Sequence, residues 1–599
     1  MAIAKSKSAI FVHGLGKAVI YWTNQAKQEV GSVERLTENL YPVSTKTVNG
    51  TRWGYINDRG RTRISLVYDG AEPFQKNGFA IVTLNEKQGL INQFGRFAVK
   101  PVYKSIQPFS EERAIIQTKD GFKMIDEEGH VRTKKTYAYM APMKHGRALF
   151  QTNGRYGFLN SDGEEVIAAR YLFAFDFDEG KAVVQTKTAE FQLIDENGHV
   201  LHTYPYADVG SLSEGRIAFK QGDLYGYLDE AGNVVIPPKY GMAFAYEDGF
   251  AIIATNGDNY SYGLINKAGN TVFEPVYNEI RLLQEGRVAL GKAKDANRPF
   301  LSRYAIANTS GAVLTDFVYD DIGSFKKGTA SAVKDDKTFF IDKEGHKAKT
   351  FPAFSGTGVL RKENGIVAAF IDQRLFYTDE HGKIIWHPDT EIRLRRPYRI
   401  QERLYKRGPN YYVYYPQIEG MANQLEQQAI NQKLAKQAGV CDVTEAETKE
   451  RTFTGDFNVL FFKKHLVVLE IDGYTYPFGA AHGMPTRTFA NVDIRNGHDY
   501  ALSELFKHGR DYAAVLSKLV GEQIQNQADD YFPNAYKGVK STQPFYVDEH
   551  ALYLVFDVYE LAPYAAGFPT FKIPFAEIEP IIDQSGPFWQ SFHYHNQPN

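Results

Sequence analysis

The stretch Tyr225-Gly226-Tyr227-Leu228-Asp229-Glu230-Ala231-Gly232-Asn233-Val234-Val235-Ile236-Pro237-Pro238-Lys239-Tyr240 decides the fold. An aromatic–Gly pair opens a short apolar strand, Asp229 and Gly232 bracket a turn, and a second strand closes on Tyr240. Asp or Asn at the first position of a type I turn bonds the backbone ahead of it. Gly three places on accepts the left-handed conformation of a bulged hairpin. The stretch is therefore one β-hairpin.

The same phrase recurs along the chain, as Asn57 to Gly60, Asn92 to Gly95, Asp126 to Gly129, Asn160 to Gly163, Asp195 to Gly198, Asp229 to Gly232, Asn266 to Gly269, Asn308 to Gly311, Asp342 to Gly345 and Asp379 to Gly382. Successive starts lie 35, 34, 34, 35, 34, 37, 42, 34 and 37 residues apart, a regularity that marks ten tandem units. The 42-residue unit carries an insertion around Lys292 to Arg298, a candidate exposed loop. The aromatic–small slot repeats as Trp53-Gly54, Tyr156-Gly157 and Tyr262-Gly263, with looser versions at Tyr304-Ala305, Phe191-Gln192 and Phe339-Phe340. A closing Tyr follows each turn at Tyr68, Tyr103, Tyr137, Tyr171, Tyr206, Tyr240, Tyr277 and Tyr319. These rings could line a stacking surface for a sugar or peptide. Their constant place relative to the turn argues instead for a structural ladder. A charged residue, Gly and an apolar strand open the next unit, as in Glu214-Gly215-Arg216 and Glu285-Gly286-Arg287.

Each unit holds about three short strands, and no useful helical periodicity precedes residue 416, so the array is mainly β. Ten units exceed the roughly four to eight blades usual for one propeller, so an open superhelical, solenoid-like stack is expected, with a propeller-like arrangement as the alternative. These units resemble the WG-repeat family of bacterial proteins, most closely at Trp53-Gly54-Tyr55-Ile56-Asn57 and in the Tyr225 to Tyr240 stretch. The resemblance implies a repeat platform in which Trp53, Gly54, Gly60, Gly95, Gly129, Gly163, Gly198, Gly232, Gly269, Gly311 and Gly345 are structural positions.

Composition narrows the partners. The 599 residues carry a net charge of -2, so no one-signed field is available to hold nucleic acid or an anionic membrane. Cys441 is the only cysteine, which rules out an intramolecular disulfide, and no cation or second cysteine stands near it to activate the thiol. Lys5 and Lys7 precede a weakly apolar stretch that His13 and Lys17 interrupt, and no small-residue cleavage pattern follows it. No uncharged run approaches the about eighteen residues of a spanning helix. The expected location is cytoplasmic, with the cell envelope as the alternative.

Past residue 392 the grammar changes. The basic, Pro-containing stretch Arg393 to Arg399 suits a linker. Ile418, Met421, Leu425, Ala429 and Leu434 fall at helical spacing, as do Tyr512, Leu516, Leu519 and Val520. Phe457 to Phe461, Leu466 to Ile471 and Leu552 to Val558 read as half-buried strands. A separate α+β domain follows the array. The expected organisation is an N-terminal cap or partial repeat over 1–49, the array over 50–392, a linker over 393–409, the α+β domain over 410–583 and a tail over 584–599.

Tyr415-Pro416-Gln417-Ile418 leading into Gln428-Ala429-Ile430-Asn431 is similar to the DUF4163 segment found beside a peptidoglycan deacetylase. Gly479-Ala480-Ala481-His482-Gly483, Ala501 to Phe506 and Tyr559 to Gly567 resemble, in order, the RsiV C-terminal (DUF3298) family. That resemblance implies a binding module, since the family's best-known member is an anti-sigma factor whose extracytoplasmic domain binds lysozyme. It also points to His482, Tyr559, Glu560 and Tyr564 as ligand-binding candidates. The membrane span and the anti-sigma segment of that member have no counterpart here, so its signalling role is not implied.

Catalytic patterns are incomplete. Phe11-Val12-His13-Gly14-Leu15-Gly16 mimics the oxyanion loop of α/β-hydrolases, but no Gly-x-Ser-x-Gly elbow supplies a nucleophile. His593-Tyr594-His595 offers two imidazoles without a third ligand, which suits a frayed tail better than a metal site. Glu560 has no sequence-evident acid partner. The expected function is therefore non-catalytic binding, with no cofactor and no metal. The array would serve as platform and the terminal domain as a module for a protein or cell-wall glycan, possible targets being wall components or lysozyme-like proteins. The alternatives are a cell-envelope hydrolase and a structural scaffold or spacer. Oligomeric state is not legible.

Overall fold

The computed structural model describes residues 12–14, 17–19, 38–257, 260–295 and 301–593. The chain divides into two compact units, residues 1–39 and 40–599. In the first, strand Val12–Gly14 pairs antiparallel with Lys17–Val19. The hydrolase-like phrase thus touches a hairpin; its Phe11, Leu15 and Gly16 lie outside the described residues, as do Tyr594 and His595.

Residues 40–386 form ten antiparallel sheets of three or four strands, one per repeat, with each strand ladder confined to its own sheet. The first is built from Leu40–Thr47, Gly50–Asn57 and Thr62–Tyr68, so the array begins at Leu40, inside the segment expected to be a cap or partial repeat. All ten turns share one bonding scheme. The Gly N–H donates to the Asx carbonyl three residues back, and the Asx N–H donates to the carbonyl four residues ahead. The Asx side-chain oxygen accepts the N–H of that same residue, as Asp229 does from Asn233 at 2.8 Å and Asn57 from Arg61 at 2.9 Å. The ten glycines sit at φ between 74° and 94°, a region that penalises any residue with a Cβ.

The aromatic–Gly slot has a different cause. Gly54, Gly157 and Gly226 lie under a bulge of the following strand, where the pairing register slips. A Cβ at Gly157 would stand 2.5 Å from the Ile167 carbonyl oxygen and 2.7 Å from the Ala169 nitrogen. Where Gln192 replaces that glycine the slip at this slot is absent, Phe191 pairs with Tyr204 and Gln192 with Thr203, and the register shifts only between Leu193 and Ile194. Tyr204 therefore takes the closing position in this unit and is fully buried, while Tyr206, assigned by spacing, lies two residues beyond it. Tyr68, Tyr137, Tyr171 and Tyr319 are buried and Tyr103, Tyr240 and Tyr277 half-buried. The rings form a structural ladder.

Neighbouring sheets bury apolar side chains between them. Val183, Tyr204, Phe219 and Leu228 form one such core and Ala218, Tyr227, Ile253 and Ile265 the next. The charged opening slot ties unit to unit: Glu111 accepts the N–H groups of His145 and Gly146 at 2.7 and 2.8 Å, and Arg113 reaches the Ser161 carbonyl at 2.6 Å in the next turn. The series does not end in free faces. Tyr41, Val43 and Ile56 of the first sheet pack against Ile366 and Tyr377 of the last. The ten sheets thus come round on themselves in the propeller-like way, without forming a closed barrel. A wide ring is possible because each interface is a local apolar contact that tolerates a small angle per unit.

The second domain is centred on a seven-stranded sheet running from Glu391–Arg393 through Arg399–Lys406, Tyr411–Glu419, Arg451–Lys463, Leu466–Pro477 and Met484–Asp493 to His498–Asp499. The expected linker therefore holds the last residue of one strand of this sheet and the whole of the next. Its positive charge is matched by Glu391 and Glu419, and Ile392 and Ile400 are buried. The helix Gln424–Gln437 buries Ile430 and Leu434 but leaves Leu425 exposed, and Ile418 belongs to the preceding strand. Leu466 to Ile471 is buried on both faces rather than one. Val467 and Leu469 meet the core under that helix, whereas Leu466 and Val468 meet Leu516 and Val520 of the helix Tyr512–Gln525. The expected tail contains the helix Pro587–Phe592, whose Phe588 and Phe592 are fully buried. His593 is no frayed end: its ring stacks on Trp589 at 3.7 Å, and burial beside Lys463 pushes its pKa down to about 4.

The two domains meet at the junction of the first and last array sheets. Lys46, from the first, and Arg374, from the last, both bind Asp456 and Glu402 of the second domain. Arg374 also lies over the Tyr414 ring at 3.6 Å, and Lys46 over Phe457 at 3.8 Å. A second cluster joins Lys406 to Asp336 at 2.8 Å and to Asp372 at 2.6 Å.

Candidate functional site

Two loops of the second domain converge. One joins Leu466–Pro477 to Met484–Asp493 and carries His482; the other, between Ala551–Val555 and Thr570–Pro574, carries Tyr559, Glu560 and Tyr564. The antiparallel pairing of Tyr474 with Pro485 and of Thr475 with Met484 sets the first loop at the sheet end. Its base is crowded: a Cβ at Gly483 would stand 2.5 Å from the Thr475 carbonyl oxygen, so glycine lets the chain close over Tyr474.

His482 Nε2 lies 3.2 Å from the Tyr559 hydroxyl, and its ring centroid is 4.6 Å from that of Tyr564. Tyr559 and Tyr564 are 5.5 Å apart. The Tyr564 hydroxyl donates to the Gly483 carbonyl at 3.1 Å, and the Gly483 N–H donates to the Tyr474 hydroxyl at 3.1 Å. Three of the four candidates are thus brought together, and Tyr474 completes the patch. Nothing in the alternating run around Tyr474 announced this; only the register of the strand pair places its hydroxyl under Gly483.

Glu560 has another task. It pairs with Lys540 at 2.6 Å and accepts the Asp557 N–H at 3.1 Å, while its own N–H closes the turn onto the Asp557 carbonyl. The residue before it, Tyr559, has φ of 65°, a conformation costly for a bulky side chain. The turn is braced so that the Tyr559 ring, 46% exposed, faces solvent beside His482.

Beside this patch runs a cleft of about 300 Å³ lined by Tyr474, Asp472, Arg487, Phe568 and, from the array, Gln373. Arg487 contacts Glu470 at 2.6 Å and Asp472 at 2.7 Å and lies 4.7 Å from the Phe568 ring centre. Burial, reinforced by the Asp472 charge, pushes the Glu470 pKa up to about 7. The imidazole of His482 bonds a phenol and a backbone carbonyl, so the carboxylate that orients a catalytic base is not its partner. Among the described residues, Asp126, Glu128 and His130 could share an ion, but Asp126 is already the acceptor of its own repeat turn.

The architecture and the two-loop patch define a repeat platform joined to a small α+β module. Family models describe both parts: "WG containing repeat" matches residues 53–87, 89–121, 156–187, 225–257, 262–290 and 304–337, and "Protein of unknown function (DUF3298)" matches 503–576. The chain carries WG repeats and a C-terminal DUF3298 domain. It is similar to the anti-sigma-V factor RsiV of Bacillus subtilis strain 168, 24% identical over 191 residues, which cover 28% of this chain and 63% of that protein. It is also similar to the peptidoglycan-N-acetylmuramic acid deacetylase PdaC of the same organism, 24% identical over 185 residues, covering 29% of this chain and 39% of that enzyme. The chain thus spans less than two thirds of either relative. A solved DUF3298 family member from Bacteroides fragilis NCTC 9343 aligns at 17% identity with a TM-score of 0.26, over 31% of this chain and 92% of that one. Among the described residues no helix is long and apolar enough to cross a membrane.

Proposed function

We propose that this is a non-catalytic binding protein whose terminal domain recognises a protein partner at the cell envelope through His482, Tyr559, Tyr564 and Tyr474, with the ring of repeats as platform. The observation that carries this reading is the strained, exposed Tyr559 braced by Glu560. A backbone held in a costly conformation to present a ring to solvent is characteristic of a recognition surface. Exposed tyrosines beside a histidine suit a protein ligand, because Tyr supplies rigid amphipathic contact area. The likeness to RsiV supports a lysozyme-type partner, and the likeness to an enzyme of peptidoglycan supports a place at the wall.

The test is surface plasmon resonance on the full chain with hen lysozyme and, separately, soluble peptidoglycan fragments. Saturable lysozyme binding that falls at least about tenfold in His482→Ala and Tyr559→Ala supports the reading. Absence of lysozyme binding, or binding that both variants retain, would overturn it. Retention of peptidoglycan fragments alone would replace the protein partner by a wall glycan.

A further inference from the structure

Phe175, Gly210 and Phe244 occupy one register position in three consecutive array sheets. Each directly follows the residue paired across the first hairpin of its unit: Ala174 with Val184, Val209 with Phe219, and Ala243 with Ile253. A glycine thus stands where both neighbouring units place a phenylalanine. Neither backbone nor packing demands it. Gly210 does not have a left-handed φ, and a Cβ there would meet only Ala218 and its backbone at 3.4 to 3.8 Å, ordinary contact distances. In that it differs from Gly157 and Gly226, which are crowded by backbone.

The missing side chain opens a groove of about 620 Å³ with Phe175 and Phe244 among its lining residues. Phe244 is 43% exposed and Tyr260, also lining the groove, 45%. Polar groups stand among these rings. Tyr225 donates to the Asp208 carboxylate at 2.7 Å, and the Lys220 ammonium lies 5.7 Å from the Tyr225 ring centre. With Asp223 the groove holds two carboxylates and one ammonium, so it disfavours an anion.

We propose that this groove binds a short neutral oligosaccharide. A sugar ring presents an apolar C–H face that stacks on exposed aromatic rings, and a rim of hydroxyls that both donate and accept. Asp208 and Asp223 offer acceptors and Lys220 a donor within the same groove. The site is independent of the patch around His482, since its lining residues all belong to the array.

Isothermal titration of the full chain with chitotetraose and with cellotetraose tests it. Saturable binding at millimolar or tighter affinity is expected for at least one of the two. Gly210→Phe, which restores the side chain of the adjacent units, should abolish binding while the melting temperature stays that of the parent. Phe244→Ala should weaken binding at least about fivefold while leaving the groove open, which separates ligand loss from misfolding. Absence of binding by either sugar, or undiminished binding by both variants, overturns the proposal. So does a groove that takes up only peptides in a competition series.

Discussion

The hydroxyl of Tyr377 donates to the carbonyl oxygen of Pro42 at 2.9 Å, a buried bond between residues 335 positions apart that joins the last sheet of the array to the first. The two chain ends of the repeat series are thereby a folded interface like the nine others, and the Tyr41 and Tyr377 rings pack 5.5 Å apart across it. Tyr377→Phe keeps the ring and orphans the carbonyl, so it should cost about 1–3 kcal/mol in equilibrium urea unfolding. An effect near zero would mean that the seam opens to water.

Arg374 carries a larger share, because it is largely buried and holds Glu402 and Asp456 together. Arg374→Met should destabilise by about 3–5 kcal/mol, as removing one partner of a buried ion cluster leaves the others uncompensated. A double-mutant cycle with Lys46→Met should show strong coupling, since both cations serve the same two carboxylates.

Gly157→Ala presses a methyl group into the Ile167 carbonyl and should cost about 1–3 kcal/mol. Gln192→Gly, at the same slot of the unit where that slot pairs in regular register, should cost only the backbone entropy of glycine, of the order of 0.5–1 kcal/mol. Thermal unfolding of the two variants distinguishes a steric from a generic role for the slot.

Glu470 gives a pH signature. Its carboxyl keeps its proton up to about 7 in the folded chain, against 4.5 when unfolded, so between those values the native state binds more protons. Stability from this group is then present below 4.5 and declines as pH rises to 7. Glu470→Gln removes the decline. The variant-minus-parent stability should rise across that window by about 2–3 kcal/mol, measured by urea unfolding at stepped pH. A flat difference would show the carboxylate to be compensated by Arg487.

Tyr559 should trade stability against recognition. Tyr559→Gly relieves the left-handed backbone and should raise stability by about 1 kcal/mol while removing the exposed ring from the binding patch. Calorimetry of the variant beside the lysozyme measurement would read both effects. A destabilised variant would show that the ring's contacts outweigh the strain.

Most of the array was legible because its punctuation is local: an Asx, two residues and a Gly specify the turn without help from elsewhere. The ring closure was not, since Tyr41 and Tyr377 meet only after ten units have each added their own small rotation. The constant spacing from the turn points to Tyr206 as the closing residue, and it fails where the slot at Gln192 pairs in regular register and Tyr204 takes that place. Basic residues and a proline disguised the strand Arg399–Lys406 and the turn before it as a linker, because the Arg399 charge is answered by Glu391 and Glu419 outside that stretch. In the candidate site, phrase recognition reached His482, Tyr559 and Tyr564 but took Glu560 for a neighbour of the same kind. Its role in holding the turn, and that of Tyr474 beneath it, depends on contacts that no single segment encodes.

The shared grip of Asp456 on Lys46 and Arg374 also bears on how such a chain can evolve. A free-ended stack can duplicate or lose a unit by recombination and remain a stack. Here the first and last units must arrive side by side at one carboxylate pair, so an added or deleted repeat would separate the two cations and strip the buried acids of half their neutralising charge. The carboxylate pair thus fits a series of ten units, the count that brings Lys46 and Arg374 to the same place.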